Sequence, residues 1–373
     1  MSMVTVGPPE SDSAWWNGQM HLEINKAAIR DTRLAAMALP TSLASGQVLL
    51  SIDKFALTSN NISYVMAGDF LDYWGFFPTE EGWGRLPVMG FGTVVDSNNP
   101  DIAVGGRYWG FYPAGSHHVV DAQSTRGGFI DVAPFRAKHA NTYRQFDLVG
   151  PDANTNDEYE SAVLLLRGLF VTSFLADDFF ADNQMFGATQ LIVTSASSKT
   201  SLALAHEARR HQHARVIGMT STANVDFVEE TGLYDAVIEY SDIASIPTEP
   251  SIIADMAGNS QVLSAIHHHL GDNVKHSARI GATHWEETGN AGAMPGAKPE
   301  FFFAPSQLAK RGKEWGRDVL NARMAEALNL FIDDSTRWMT IVHTVGSEAI
   351  VATYTALLNG TVPASEGHVI SIR

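Results

Sequence analysis

The 373-residue chain contains no cysteine. That absence excludes disulfides, thiolate zinc ligands and cysteine nucleophiles. Basic residues are scarce, Lys+Arg 25 against Asp+Glu 41, for a net charge of −16. Nonspecific nucleic-acid or anionic-membrane binding needs a basic footprint, so neither is an expected partner. No uninterrupted apolar run approaches the ~18 residues that span a bilayer. The first twenty residues lack the basic-then-apolar order of a signal peptide, with Pro8, Pro9, Glu10 and Asp12 among them. A soluble, cytoplasmic protein is expected. There is no internal repeat and no low-complexity tract, and 45% hydrophobic against 18% charged residues is ordinary for a globular protein.

Glycine is missing from one place where its absence matters. Gln190-Leu-Ile-Val-Thr-Ser-Ala-Ser-Ser-Lys-Thr-Ser201 joins an apolar strand to a helical segment (202–213). A second strand follows at 215–220. This strand–turn–helix–strand order places a pyrophosphate on a helix N-terminus. Ser195, Ser198 and Ser201 stand where glycines are usual. Serine permits close phosphate approach and adds a hydroxyl donor, at a modest steric cost where the backbone must be left-handed. Ser197, Ser198 and Thr200 supply hydroxyls, and Lys199 a point charge for phosphate. The same residues also suit a solvated loop capping a helix.

A second absence lies at the end of the second strand. An NAD site wants an acid there for the ribose 2′-hydroxyl. Thr220, Ser221, Thr222 and Asn224 offer none, which leaves room for a 2′-phosphate and favours NADP.

The rest of the chain divides in two. Residues 47–134 read as short strands punctuated by Gly, Pro and Asn, a small barrel or strongly bent sheet. Residues 150–157 are polar and irregular, a linker. A helix is expected over 158–180. Strands at 190–194, 215–220, 235–240 and 251–256 then alternate with helices, followed by a fifth at 277–283, which implies a parallel sheet covered on both faces. Asn259 and Ser260 open one helix, and Gly271 closes it. A terminal helix (346–358) and strand (368–372) complete the pattern.

Together these segments resemble the medium-chain dehydrogenase/reductase superfamily. The carriers are the 190–201 loop, Ala214 to Ser221, Gly232-Leu-Tyr-Asp-Ala-Val-Ile-Glu-Tyr240, Ile252 to Asn259, Gly346 to Ala349 and Glu366 to His368. At the other end are Gly46 to Asn61 and Gly68. The run Leu57 to Tyr64, with Tyr73 to Pro78, is similar to a divergent branch catalogued as a domain of unknown function. The resemblance implies a GroES-like β-barrel catalytic domain (1–150, joined by 335–373) and a Rossmann dinucleotide-binding domain (151–334).

Lacking cysteine ligands, the chain sides with the zinc-free quinone and enoyl reductases. The resemblance therefore implies hydride transfer from NADPH to an activated C=C, quinone or ketone of an apolar or aromatic substrate. Tyr64 is the first candidate proton donor, with Asn60 and Asn61 as carbonyl-orienting donors and Tyr73 beside them. A merely packed tyrosine is the alternative for Tyr64. Phe70, Tyr73, Trp74 and Phe77 would wall an apolar substrate cleft between the domains. Ala257, Gly258, Gly281, Ala282, Phe302 and Phe303 are the remaining cofactor candidates, with His284 closing the 281–284 segment. A homodimer is expected by resemblance. His117-His118 on a strand and His267-His268-His269 on a helix do not converge on one ion, so no metal is assigned. The rival readings are a catalytically silent, nucleotide-binding or dimerising member, and a metal-free carbonyl reductase.

Overall fold

The computed structural model describes residues 2–6, 19–150, 153–280 and 294–372. In chain order the elements are β1 (Ser2–Val6), β2 (Met20–Asn25), β3 (Thr32–Ala36), β4 (Gln47–Leu57), α1 (Ser59–Met66), β5 (Trp83–Arg85), β6 (Pro87–Ser97), β7 (Arg107–Pro113), β8 (His117–Thr125), β9 (Gly128–Asp131) and β10 (Gln145–Leu148). Then come α2 (Asp157–Asp182), β11 (Gln190–Val193), α3 (Lys199–His211), β12 (Arg215–Thr220), α4 (Val225–Thr231), β13 (Ala236–Glu239), β14 (Ser251–Asp255), α5 (Ser260–Leu270), β15 (Val274–Arg279) and β16 (Pro299–Phe301). The chain ends with α6 (Ala304–Glu314), α7 (Arg317–Ser335), β17 (Thr340–Val345), α8 (Ser347–Leu358) and β18 (Glu366–Ser371).

Two units result, one of residues up to Leu165 and from Thr340 on, the other Leu166–Met339. The first boundary falls inside α2 rather than at residue 150. The opening turns of that helix are tied to the first unit: Lys54 pairs with Asp157 (2.6 Å) and Glu160 (2.9 Å), and Arg107 also grips Glu160.

The first unit is built on β4, whose eleven residues are long enough to serve three neighbours. It pairs antiparallel with β6, with β8 through Gln47–Ser51, and with β18 through Phe55–Leu57. The run β4-β6-β7-β10-β9-β8 thus closes on itself, while β18, β17 and β1 extend from β4. Closure removes the exposed edges an open sheet would present. Inward residues such as Val48, Leu50, Val88, Tyr112, Phe129 and Phe146 fill the interior. A separate three-stranded sheet runs β3-β2-β5.

The second unit holds a six-stranded, wholly parallel sheet in the order β13-β12-β11-β14-β15-β16. Counted within the unit this is 3-2-1-4-5-6, the doubly wound dinucleotide-binding order. All four residues of β11 are buried, as a strand covered on both faces requires. Helix α5 begins where the sequence places it, with the Asn259 side chain accepting from the backbone N–H of Gln261 and Val262. It ends at Gly271, whose φ of 57° only glycine adopts freely. Helix α3 starts three residues earlier than expected because the Ser198 side chain caps it at Ser201 N–H. No helix among the described residues is long and apolar enough to cross a membrane.

Candidate functional site

Strand order fixes where a nucleotide can lie. In an open parallel sheet the ligand crevice opens at the carboxyl ends of the strands where the winding direction reverses. Here that point lies between β11 and β14, so the turns after Val193 and Asp255 form it. Ser195 takes a φ of 51°, the left-handed conformation of the usual first glycine. Its N–H donates to the Tyr240 hydroxyl (2.7 Å). The Ala196 N–H donates to Met219 O (2.9 Å), drawing the turn toward β12. Beyond it Ser198 Oγ donates to Ser201 Oγ (2.8 Å), and Ser201 Oγ donates to Thr194 O (2.9 Å). Ser201 is fully buried. In place of the third glycine, which lets helix and strand pack closely, stands a hydroxyl bonded to the end of the strand. Ser197, Ser198, Lys199 and Thr200 are half-buried around the start of α3, whose dipole presents its positive end there.

Two residues that sequence reasoning passed over organise this point. Thr194 Oγ1 donates to Asp255 Oδ1 (2.9 Å) and accepts from the N–H of Met256 (2.9 Å) and Ala257 (3.1 Å). Asp255 Oδ1 also accepts from Ala257 and Gly258 (3.2 Å each). Burial pushes the Asp255 carboxyl above the ordinary aspartate value, against the lowering pull of these hydrogen bonds. An acid ending the fourth strand was the available signal. Ala257 and Gly258 are exposed, Gly258 with a φ of 66°.

The end of β12 carries a surprise of the same kind. Thr220 is buried, while Ser221 and Thr222 are exposed. Asn224 Nδ2 donates to Ser221 Oγ (3.2 Å). The sequence lacks an acid here, but the sheet supplies one from the neighbouring strand. Glu239 lies across from Thr220 in register, and its Oε2 accepts from Thr222 Oγ1 (2.6 Å) and Ser241 Oγ (3.1 Å).

At the far sheet edge, Phe302 is buried and continues the pairing to β15 through its N–H to Arg279 O (2.9 Å); Phe303 is exposed before α6. Two cavities of this unit lie away from the Ser195 turn. One of about 380 Å³ surrounds Asp177, His211 and Trp315; one of about 330 Å³ adjoins Phe302, Phe303 and His276. Gly281, Ala282 and His284 fall outside the described residues.

In the first unit, α1 brings three of its four catalytic candidates together. Asn60 Nδ2 donates to the Tyr64 hydroxyl one turn on (2.7 Å), and the Tyr64 and Tyr73 rings stack with centroids 4.4 Å apart. Tyr73 and Tyr143 hydroxyls lie 3.5 Å apart. Phe76, Phe77 and Phe111 pack around them. Burial pushes the Tyr64 phenol well up and keeps it protonated. Asn61 stands apart: its Oδ1 accepts from Thr58 N–H (2.7 Å) and its Nδ2 donates to Pro87 O (2.8 Å). Its amide is thus committed to capping the helix, at the three-residue spacing of a capping box. Trp74 is a core residue rather than a cleft wall, because Gly68 and Gly84 leave its ring room: a Cβ there would sit 2.0 and 2.2 Å from it. Phe70 is exposed and Phe77 buried.

The histidines are engaged separately. His267 bonds Pro295 O and Ser277 Oγ, His269 bonds Ile246 O, and the ring of His117 lies against Ser116 Oγ. Among the described residues no three His, Asp or Glu side chains converge as a metal site.

Residues 55–363 match the family described as "Protein of unknown function (DUF2855)". No curated protein matches the chain in sequence. Among solved structures, CurA from Vibrio vulnificus superposes with a TM-score of 0.58 at 13% identity, over 95% of this chain and 98% of that one. CurA in complex with NADPH gives 0.54 at 14%, over 95% and 99%. The CurK enoyl reductase gives 0.56 at 12%, again over 95% and 99%. At these identities the likeness is one of fold.

Proposed function

The chain belongs to the DUF2855 family of proteins of unknown function, and from that premise we propose that it is an NADPH-dependent oxidoreductase. Its substrate is an apolar or aromatic compound with an activated C=C, quinone or ketone, reduced without zinc. The observation that carries this reading is the 3-2-1-4-5-6 strand order with Ser195 left-handed at the reversal point. The residues present fit a dinucleotide. Ser195 gives the turn its glycine-like path, Ser198 caps the helix that faces the phosphates, and Lys199 adds charge. The exposed backbone of Ala257 and Gly258 borders the same crevice.

When bound, the reduced nicotinamide supplies the hydride. The chain's own residues bind, orient and protonate. Tyr64, kept neutral by burial and held by Asn60, is the proton donor; Asn60 orients the substrate carbonyl, and Tyr73 fixes the Tyr64 ring by stacking. The CurA structure in complex with NADPH and the CurK enoyl reductase support the same class. The soluble chain acts as a homodimer.

Tryptophan-to-nicotinamide energy transfer, with a thermal shift alongside, tests this reading. NADPH at about 1 mM, a concentration that half-fills even a millimolar site, should raise Tm and sensitise nicotinamide emission. No response to either NADPH or NADH overturns it.

A further inference from the structure

We propose that Glu239 sets the choice between NADPH and NADH, an inference that rests on the dinucleotide reading above. In a sheet of this order the adenosine ribose lies at the end of the second strand, and the group found there reads its 2′ position. The second strand here is β12, which ends on Thr220 and offers Ser221 and Thr222. Hydroxyls alone would serve a 2′-phosphate. The fold does not leave them alone. Strand β13 runs parallel to β12 and brings Glu239 opposite Thr220. Its carboxylate takes the hydroxyl hydrogens of both Thr222 (2.6 Å) and Ser241 (3.1 Å). Two donors available to a phosphate are thereby turned onto an anion.

Among the described residues no basic side chain forms an ion pair with Glu239. The two guanidiniums of the preceding helix are directed elsewhere: Arg209 donates to Gly232 O (2.5 Å), and Arg210 pairs with the buried Glu207 (2.8 Å). A 2′-phosphate carries close to two negative charges and would be repelled by a carboxylate at this strand end. A free 2′-hydroxyl instead donates to it. The hydroxyls and the carboxylate therefore act in opposite senses, and Glu239 narrows the preference for NADPH that the hydroxyls alone would give.

Glu239→Gln keeps the length and the acceptor oxygen and removes the charge; Glu239→Lys reverses it. Glu239 is half-buried at a strand end, so both variants should keep the native far-ultraviolet circular dichroism and the native melting profile. Dissociation constants for both nucleotides are measured on the full chain by energy transfer. In E239Q the ratio Kd(NADH)/Kd(NADPH) should rise about tenfold, ~1.4 kcal/mol. It should rise further in E239K, and both shifts should shrink in high salt. An unchanged ratio in both folded variants overturns the role of Glu239 while leaving the dinucleotide site intact. Failure of the native chain and both variants to bind either nucleotide overturns the parent reading, and this one with it.

Discussion

Thr194 follows β11 and Asp255 ends the adjacent β14, and the threonine hydroxyl donates to the carboxylate between them at 2.9 Å. Both side chains are buried, and Thr194 Oγ1 also accepts two backbone N–H groups of the following turn. The pair therefore joins the two turns that would face the phosphates. Replacing Thr194 by Val keeps the shape, takes one donor from the buried Asp255 carboxylate and leaves the Met256 amide without its acceptor, while Ala257 keeps Asp255 Oδ1. Such losses cost about 1–3 kcal/mol. Urea unfolding of T194V should show that drop, and nucleotide affinity should fall with it. T194S should retain most of both. A T194V chain as stable as native would remove the pin from the account.

Ser195 bears the left-handed strain that glycine would not. A β-branched residue there should cost about 1–3 kcal/mol. Ser195→Gly should differ from native by less than about 1 kcal/mol, because relief of strain is offset by the freedom glycine gains when unfolded. Equal midpoints for S195V and S195G would show that the turn re-forms without a positive φ.

Local signals in the sequence announced α2, β11, α3, β12, β13, β14 and α5 because they act within a few residues, while β16, α6 and α7 had no reading. Asn259 and Gly271 cap α5 by hydrogen bonds and backbone geometry at hand, and alternating apolar runs mark each buried strand. What depended on distant partners was not legible. Serine gives no notice of a positive φ at residue 195. Glu239 is visible as an acid, but its place beside Thr222 follows from β13 lying next to β12. Trp74 looked like a cleft aromatic because only folding brings Gly68 and Gly84 against it. Asn61 was assigned to substrate, although its capping partner Thr58 lies only three residues away.

Acid should weaken the first unit through Glu160. Burial pushes this carboxyl up, but hydrogen bonds from Arg107 and Lys54 outweigh it and hold it below the ordinary value of 4.5. A carboxyl lowered in the folded state stabilises fully above the unfolded value and loses that contribution as pH falls through the folded one. Glu160→Gln should therefore be less stable than native at pH 7, and the gap should close toward about pH 3. A gap independent of pH would mean that the ion pairs contribute nothing.

Tyr64 offers the direct check on chemistry. Tyr64→Phe removes one hydrogen bond, to the exposed Asn60, so stability should fall by no more than about 1.5 kcal/mol. Turnover of an activated enone or quinone with NADPH should fall by about 10²–10⁴, with nucleotide affinity unchanged. Full activity in Y64F would assign the proton to another donor.

The proposed homodimer can be tested at one edge of the second unit. Strand β16 ends the parallel sheet and, among the described residues, has a hydrogen-bonded neighbour on one side only. Its last residue, Phe301, is 54% exposed, and Phe303 just beyond is 55% exposed, with the two rings 6.3 Å apart. An open strand edge with adjacent apolar rings is a template for pairing with another strand, and a second copy presents the same edge for a symmetric match. Phe301→Asp combined with Phe303→Ser should shift the molecular mass measured by light scattering from two chains to one. The melt of each chain should stay cooperative, because neither ring belongs to the buried core. A native chain that is already monomeric at about 100 μM, where any dimer with a micromolar Kd would persist, removes this edge as an interface.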